Sequence, residues 1–368
     1  MSYDPEARSK TPLALKLERD IRASGPLPVA DYMRACLLDP EHGYYTTRQP
    51  IGSGGDFVTA PEISQVFGEL IGLWCAVVWQ QMGAPRPVDL VELGPGRGTL
   101  MADALRALNR VPEFLAAARV RLVEINPLLR ELQSRALGTV NVPVFWHRHH
   151  AEAFGGAPAI VIGNEFLDAL PVGQHVLTDT GWRQRVVMLD RDGRLVFETG
   201  PVRSCEGLFR RYPEAQVGEI AELAEPVKAI SETLPFLPAS AALLIDYGHT
   251  ASAIGDTLQA VRAHRQENPL TSPGEADLTT QVDFARFAEC ARAAGLAVDG
   301  PVTQTEFLST LGLAERASRL MAANPALAHR IEADAARLVS PTGMGSRFKA
   351  IGLRSPSLPP LPGFPGKA

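Results

Sequence analysis

A chain of 368 residues is long for one ordinary domain and short for three, so a core with insertions, or two domains, is expected. A hydrophobic fraction of 45% fits a globular protein, and a net charge of −5 gives no electrostatic footprint for nucleic acid or an anionic membrane. Cys36, Cys75, Cys205 and Cys290 are scattered without a C-x-x-C pair, which argues against a zinc ribbon or a disulfide framework. The segment Met1-Ser-Tyr-Asp-Pro-Glu-Ala-Arg8 lacks the apolar region of a signal peptide. The longest apolar stretch, Leu70 to Trp79, is too short to cross a bilayer. These features predict a cytoplasmic protein without membrane insertion.

Residues 11–38 read as helices, and residues 39–61, rich in Gly, Pro, Asp and Thr, as loop. Glu62 to Met82 resumes helical spacing, with Ile63, Val66, Phe67, Leu70, Leu73 and Trp74 on one face. An alternation follows. Val88 to Leu93 is a buried-type strand, Thr99 to Leu108 a helix, and Val120 to Ile125 a second strand. Asn126-Pro127 starts a helix running to about Leu137. Val142 to Trp146 and Ala159 to Gly163 are the third and fourth strands. Strands alternating with helices imply an α/β fold with a parallel sheet. Residues 174–202 break the pattern with hairpin strands turning at Asp179-Thr-Gly181 and Asp192-Gly193, inside an insertion reaching residue 240. Ala241 to Gly248 returns to the buried-strand type. Asp283 caps a helix running to Gly295, Leu296–Gln304 and Arg347–Leu353 are the last strands, and residues 313–339 form amphipathic helix. The tail from Ser355 holds five prolines and is expected to be extended or disordered.

The turn Gly94-Pro95-Gly96-Arg97-Gly98 joins a strand to a helix, where glycine permits a tight turn and close approach of a ligand. A ligand-free connection is the plain alternative. Three features favour S-adenosylmethionine. Glu92, two residues before the first glycine, suits a cationic amino group and would repel a pyrophosphate. The spacing departs from the dinucleotide fingerprint, since Thr99 stands where that motif needs glycine. Glu124, ending the next strand, suits the ribose hydroxyls. Ile125, Asn126 and Asn164 join Pro95 and the glycines as candidate cofactor contacts.

After the fourth strand, Glu165 and Asp168 are candidate catalytic carboxylates. Both would accept hydrogen bonds from a guanidinium and localise its charge, raising the nucleophilicity of one nitrogen. Local capping or pairing is the plainer reading of each. His147, His149 and His150 lie on one short segment without a clear fourth ligand, so no metal site is expected. Whether His149, His150 or His249 touches a ligand is left open.

Several segments together resemble the MidA family of methyltransferases. They are Asp39-Pro-Glu-His-Gly-Tyr-Tyr45, Gly54-Gly-Asp-Phe-Val-Thr-Ala-Pro-Glu-Ile-Ser64 with Phe67-Gly-Glu69, Leu93-Gly-Pro-Gly-Arg-Gly-Thr99, Gly163-Asn-Glu-Phe-Leu-Asp-Ala-Leu-Pro171, and Asp246-Tyr-Gly248. The resemblance runs from about residue 11 to 354. It implies a Rossmann-like class I methyltransferase, with a seven-stranded mostly parallel sheet, helices on both faces, an N-terminal helical cap and an α+β insertion. Its eukaryotic relatives are mitochondrial complex I assembly factors that methylate arginine, which implies symmetric dimethylation of an arginine in the quinone-proximal subunit of NADH:ubiquinone oxidoreductase. The missing targeting segment points to a bacterial member. The loop with Asp56, Phe57, Thr59 and Pro61 becomes a lid in which Phe57 and Thr59 contact the cofactor.

The expected division is 1–82, helical region and cofactor-covering loop; 83–173, first part of the core; 174–240, substrate-recognition insertion; 241–354, second part of the core; and 355–368, tail. The expected partner is a protein substrate, a homodimer being compatible. Methylation of a small molecule, and a non-catalytic assembly factor keeping the fold, are the alternatives.

Overall fold

The computed structural model describes residues 8–47, 59–202, 206–224, 230 and 232–365. The chain divides into two compact units, each assembled from three segments. One is Ile51–Leu167, Lys228–Ala251 and Val282–Ala368; the other is Met1–Pro50, Asp168–Val227 and Ser252–Gln281.

The first unit is built on one sheet. Its strands are β1 (Val88–Leu93), β2 (Ala118–Val123), β3 (Val144–His147), β4 (Ala159–Asn164), β5 (Ser240–His249), β6 (Ala297–Thr303) and β7 (Phe348–Arg354). Their order is β6-β7-β5-β4-β1-β2-β3, with Val282–Asp283 also pairing β5. Pairs among β1 to β5 are parallel, while β7 runs antiparallel to β5 and β6. This is the mostly parallel α/β sheet expected. Every residue of β1 is buried, as a central strand covered on both faces requires. Even its charged Asp89 is buried, and Arg119 Nε and Arg121 Nε meet its Oδ1 at 2.8 and 3.0 Å.

Helices α1 (Gln65–Gln81), α2 (Thr99–Leu108) and α3 (Pro127–Ala136) belong to this unit. The predicted helix from Glu62 is divided: Ala60–Ile63 forms one turn, and extended Ser64 then caps α1, its hydroxyl accepting from the Val66 N–H. Asn126 caps α3 as expected, its Oδ1 accepting from Leu128 N at 2.8 Å. Asp283 likewise caps Phe284–Ala293 through the Arg286 N–H. The amphipathic stretch 313–339 is two helices, Leu313–Ala323 and Ala328–Val339, because Pro325 disfavours helical backbone at Asn324.

The tail corrects an expectation. Leu358, Leu361 and Phe364, spaced every third residue, are buried in the core of the sheet unit. Phe364 packs against Phe307 with ring centroids 5.2 Å apart, and the Trp74 indole donates to Pro362 O at 3.0 Å. The described tail turns at Pro356-Ser357 and at Pro362-Gly363, and its apolar anchors find a hydrophobic surface, so composition alone misjudges its order.

In the second unit, Leu27–Pro28, Gly181–Leu189, Gly173–Thr178 and Ile220–Leu223 form an antiparallel sheet in that order, with Leu195–Val202 beside Gly181–Leu189. Both hairpins turn where predicted. Leu177, Trp182, Leu208 and Ala221 form a small core. A small antiparallel sheet, with Gln259–Arg262 between Arg265–Glu267 and Asp277–Thr279, was not legible, since strands this short carry no clear alternation. The units cut the chain elsewhere than the sequence division. Leu27–Pro28 pairs with Val186–Val187, which groups the N-terminal helices with the hairpins.

Phe364→Ala is expected to cost about 3 kcal/mol of stability, the usual loss for a buried aromatic. Urea unfolding reads it, and an unchanged midpoint would remove the tail from the core.

Candidate functional site

All the elements of this site lie in the sheet unit. β1 ends at Leu93 and the chain turns through Gly94, Gly96 and Gly98, with φ of 62°, 54° and 83°. A Cβ on Gly94 would stand 2.8 Å from Phe166 Cδ2, so both backbone angle and space demand glycine. Gly98 caps α2, and its N–H donates to Pro95 O at 2.8 Å to close the turn.

Two buried carboxylates flank this turn. Glu92 is 3% exposed, and among the described residues its Oε2 has no hydrogen-bond partner. Burial, with the Glu124 carboxylate nearby, pushes its carboxyl up to about 8. Glu124 follows β2. Its Oε1 accepts from Asn126 N at 2.8 Å and its Oε2 from Gln133 Nε2 at 3.2 Å. Burial still pushes it up to about 7 against these hydrogen bonds. Ile125 between them is half-buried.

β4 ends at Asn164, whose Nδ2 donates to Glu165 Oε1 at 3.0 Å. Its Oδ1 is shielded from solvent and has no hydrogen-bond partner among the described residues. Glu165 adopts φ 52°, a left-handed conformation unfavourable for a residue with a side chain. Its backbone N–H donates to Ile245 O at 2.9 Å, and its Oε1 also accepts from Ala60 N at 2.9 Å. Asp246 on β5 supports the same corner, its Oδ2 accepting from Phe166 N and Leu167 N at 3.0 and 2.8 Å.

The turn Ala60–Ile63 is tied from two directions. Ala60 reaches Glu165, while Glu62 accepts from the Thr99 hydroxyl and, at 3.5 Å, from Arg97. Thr59 precedes it, its carbonyl accepting from Glu62 N at 3.0 Å. Asp56 and Phe57 lie outside the described residues. Asp168 belongs to the second unit, where its backbone carbonyl accepts from Thr280 N at 3.0 Å; burial raises the Tyr45 phenol there, and the charges of Asp277 and Asp168 add to it. His147 Nε2 lies 3.3 Å from Arg121 Nη1, burial lowers the His150 imidazole, and His249 Nδ1 sits 2.6 Å from Ala251 O. Among the described residues, no group of three His, Cys, Asp or Glu side chains is arranged to hold a metal. Sequence reasoning missed Glu62, Gln133 and the supporting role of Asp246. Only Asp246 and Glu62 lay in segments it had singled out.

Residues 70–302 match a family described as "putative S-adenosyl-L-methionine-dependent methyltransferase". Mitochondrial protein arginine methyltransferases resemble the chain over most of its length. That of Danio rerio, NDUFAF7, is 34% identical over 90% of this chain and 84% of its own. The Drosophila melanogaster homologue is 36% identical over 95% and 87%, and the Homo sapiens protein 32% over 95% and 85%. A crystal structure from Burkholderia thailandensis bound to S-adenosyl-homocysteine has 27% identity and a TM-score of 0.85, covering 97% of each chain. A native structure from that organism scores 0.83 over 98% of each. The cytoplasmic location expected from the sequence is overturned by the curated relatives, which are named mitochondrial.

The raised Glu92 carboxyl has a consequence for the ligand-free protein. Its contribution to stability is fully present below the unfolded value near 4.5, falls as pH rises, and is flat above about 8. Glu92→Gln is therefore expected to flatten this decline and to stabilise the ligand-free protein near pH 8 by up to a few kcal/mol. Thermal melting from about pH 5 to about pH 9 reads it, and parallel profiles would contradict it.

Proposed function

The chain belongs to the S-adenosyl-L-methionine-dependent methyltransferase family, and we propose that within it the protein is an arginine N-methyltransferase acting on a subunit of NADH:ubiquinone oxidoreductase. S-adenosylmethionine is the family's cofactor. The observation that carries its placement is the pair of unpartnered buried acceptors, Glu92 Oε2 and Asn164 Oδ1. They lie at the carboxyl ends of adjacent parallel strands, beside the turn that begins at Gly94. Two such acceptors fit an ammonium group and would repel a pyrophosphate. The names of the relatives support arginine as the acceptor.

In this reading Glu92 and Asn164 hold the amino group, and Gly94, Pro95, Gly96 and Gly98 let the ligand approach the backbone. Glu124 accepts from the ribose hydroxyls, Ile125 and Asn126 face the base, and Thr59 covers the ligand, Phe57 being assigned to the cofactor on sequence grounds alone. The bound cofactor supplies an electrophilic methyl group on a sulfonium. Glu165 is the acid assigned to the guanidinium. Ala60 N and Asn164 Nδ2 fix its Oε1, so it holds its direction without reorganising. It draws positive charge toward one guanidinium nitrogen, and a carboxylate so placed accepts the proton released as the nitrogen is alkylated. Asp168 is kept as a second recognition acid on sequence grounds. The reading holds for a monomer or a homodimer alike.

Glu165→Gln is expected to slow methyl transfer at least about a hundredfold while S-adenosylhomocysteine affinity stays within about threefold. Loss of both would move Glu165 to the cofactor site. With labelled S-adenosylmethionine and complex I from a strain lacking the protein, label is expected in dimethylarginine after hydrolysis. Label in a small molecule or another residue type would overturn the acceptor.

A further inference from the structure

Gln133 lies on α3, outside every motif, and is completely buried. Its Oε1 accepts from Trp146 Nε1 at 2.9 Å. An indole N–H can only donate, so this contact fixes which end of the amide is oxygen. The nitrogen end then faces two acceptors, Gly96 O at 2.7 Å and Glu124 Oε2 at 3.2 Å. Its two N–H groups suffice for both. One side chain thus links the glycine turn after β1, the acid after β2 and an indole on β3. Its own backbone lies against the turn, since a Cβ on Gly98 would stand 3.2 Å from Gln133 Cα.

We infer that Gln133 is a positioning residue, whose amide aligns Glu124 with the glycine turn and favours the carboxylate form that accepts from the nucleoside. This rests on the assignment of Glu124 to the ribose. The donor matters because Glu124 is buried and, among the described residues, no guanidinium hydrogen-bonds its carboxylate. Glu92 on β1 opposes its ionisation; Arg130 on α3 favours it, while donating to the Glu124 carbonyl at 2.8 Å. From β3, His147 offers its carbonyl to the Glu124 N–H at 3.0 Å, and its imidazole is held toward the neutral form by burial and Arg121. The carboxylate oxygens accept from the Asn126 N–H and the uncharged Gln133 amide, with the Ile125 N–H also favouring the charged form, so Gln133 is the side-chain donor among them. Removing the amide donor raises the pH at which Glu124 ionises, by about one unit for a hydrogen bond to a charged group.

S-adenosylhomocysteine affinity, measured by calorimetry from about pH 6 to about pH 9, tests this in the wild type, Gln133→Met, Glu124→Gln and the double variant. Gln133→Met is expected to bind about tenfold more weakly near pH 6 and almost normally near pH 9. In the Glu124→Gln background that pH-dependent loss should vanish. An equal loss at every pH, or one that persists without the Glu124 carboxylate, would reduce Gln133 to packing and overturn the inference. Unchanged affinity in Glu124→Gln at every pH would instead defeat the ribose assignment beneath it. Should Gln133→Met fail to fold, Trp146→Phe releases the amide from its anchor and is expected to shift the profile in the same direction by less. A flat ratio for that variant would also overturn the inference.

Discussion

Along β1, two buried acids three residues apart meet opposite environments. Asp89 is answered by two guanidinium groups at Oδ1, so its charge is offset although its Oδ2 has no hydrogen-bond partner among the described residues. Glu92, at the other end of the strand, meets no such cation among the described residues, and the charge that acts on it is a second carboxylate, Glu124. An unpaired buried charge is costly, so the ligand-free strand end favours a proton there. A fold selected for stability alone would place an apolar residue at this position. The acid makes sense if its compensating cation arrives with a ligand, and the glycine turn beside it leaves the backbone open to one.

The sheet topology makes that local arrangement useful. β1, β2 and β4 are parallel, so Glu92, Glu124 and Asn164 fall at the same end of the sheet without further design. The carboxyl-terminal half of β5 supplies Asp246, which holds the corner where Glu165 takes its left-handed backbone. Strain at Glu165 is therefore offset by two charge-assisted hydrogen bonds to the next two N–H groups. β7, antiparallel between β5 and β6, brings its start rather than its carboxyl end to this edge, Phe348 standing opposite Tyr247.

What could be read from the sequence follows from how local each signal is. The glycine turn, Glu92 and Glu124 were legible because strand, turn and helix lie consecutively and their order fixes the acids at strand ends. The caps at Asn126 and Asp283 were legible for the same reason. Gln133 was not, since a helical glutamine looks alike whether it faces solvent or bridges two loops, and its partners lie 37 and 9 positions away. Asp246 serves N–H groups 79 and 80 residues distant. The tail misled because proline richness is a compositional sign, whereas burial of Leu361 and Phe364 depends on a surface the rest of the chain builds.

Asn164 joins the two halves of the proposed chemistry by the same amide logic as Gln133. Its Nδ2 is committed to Glu165 Oε1, so its Oδ1 must face away from that carboxylate. On the proposed reading this oxygen meets the cofactor's ammonium with Glu92. An ammonium held there would lock the amide, and the locked amide would in turn hold the Glu165 carboxylate. The donor ligand would thereby fix the acid that receives the acceptor, without any movement of the strands beneath. Ala60 adds a second restraint on the same oxygen from the segment that also reaches the glycine turn through Glu62. Three short segments, distant in sequence, then meet at one point: on the proposed reading, a filled donor site adds to the restraint that Ala60 and Asn164 already place on the acceptor acid.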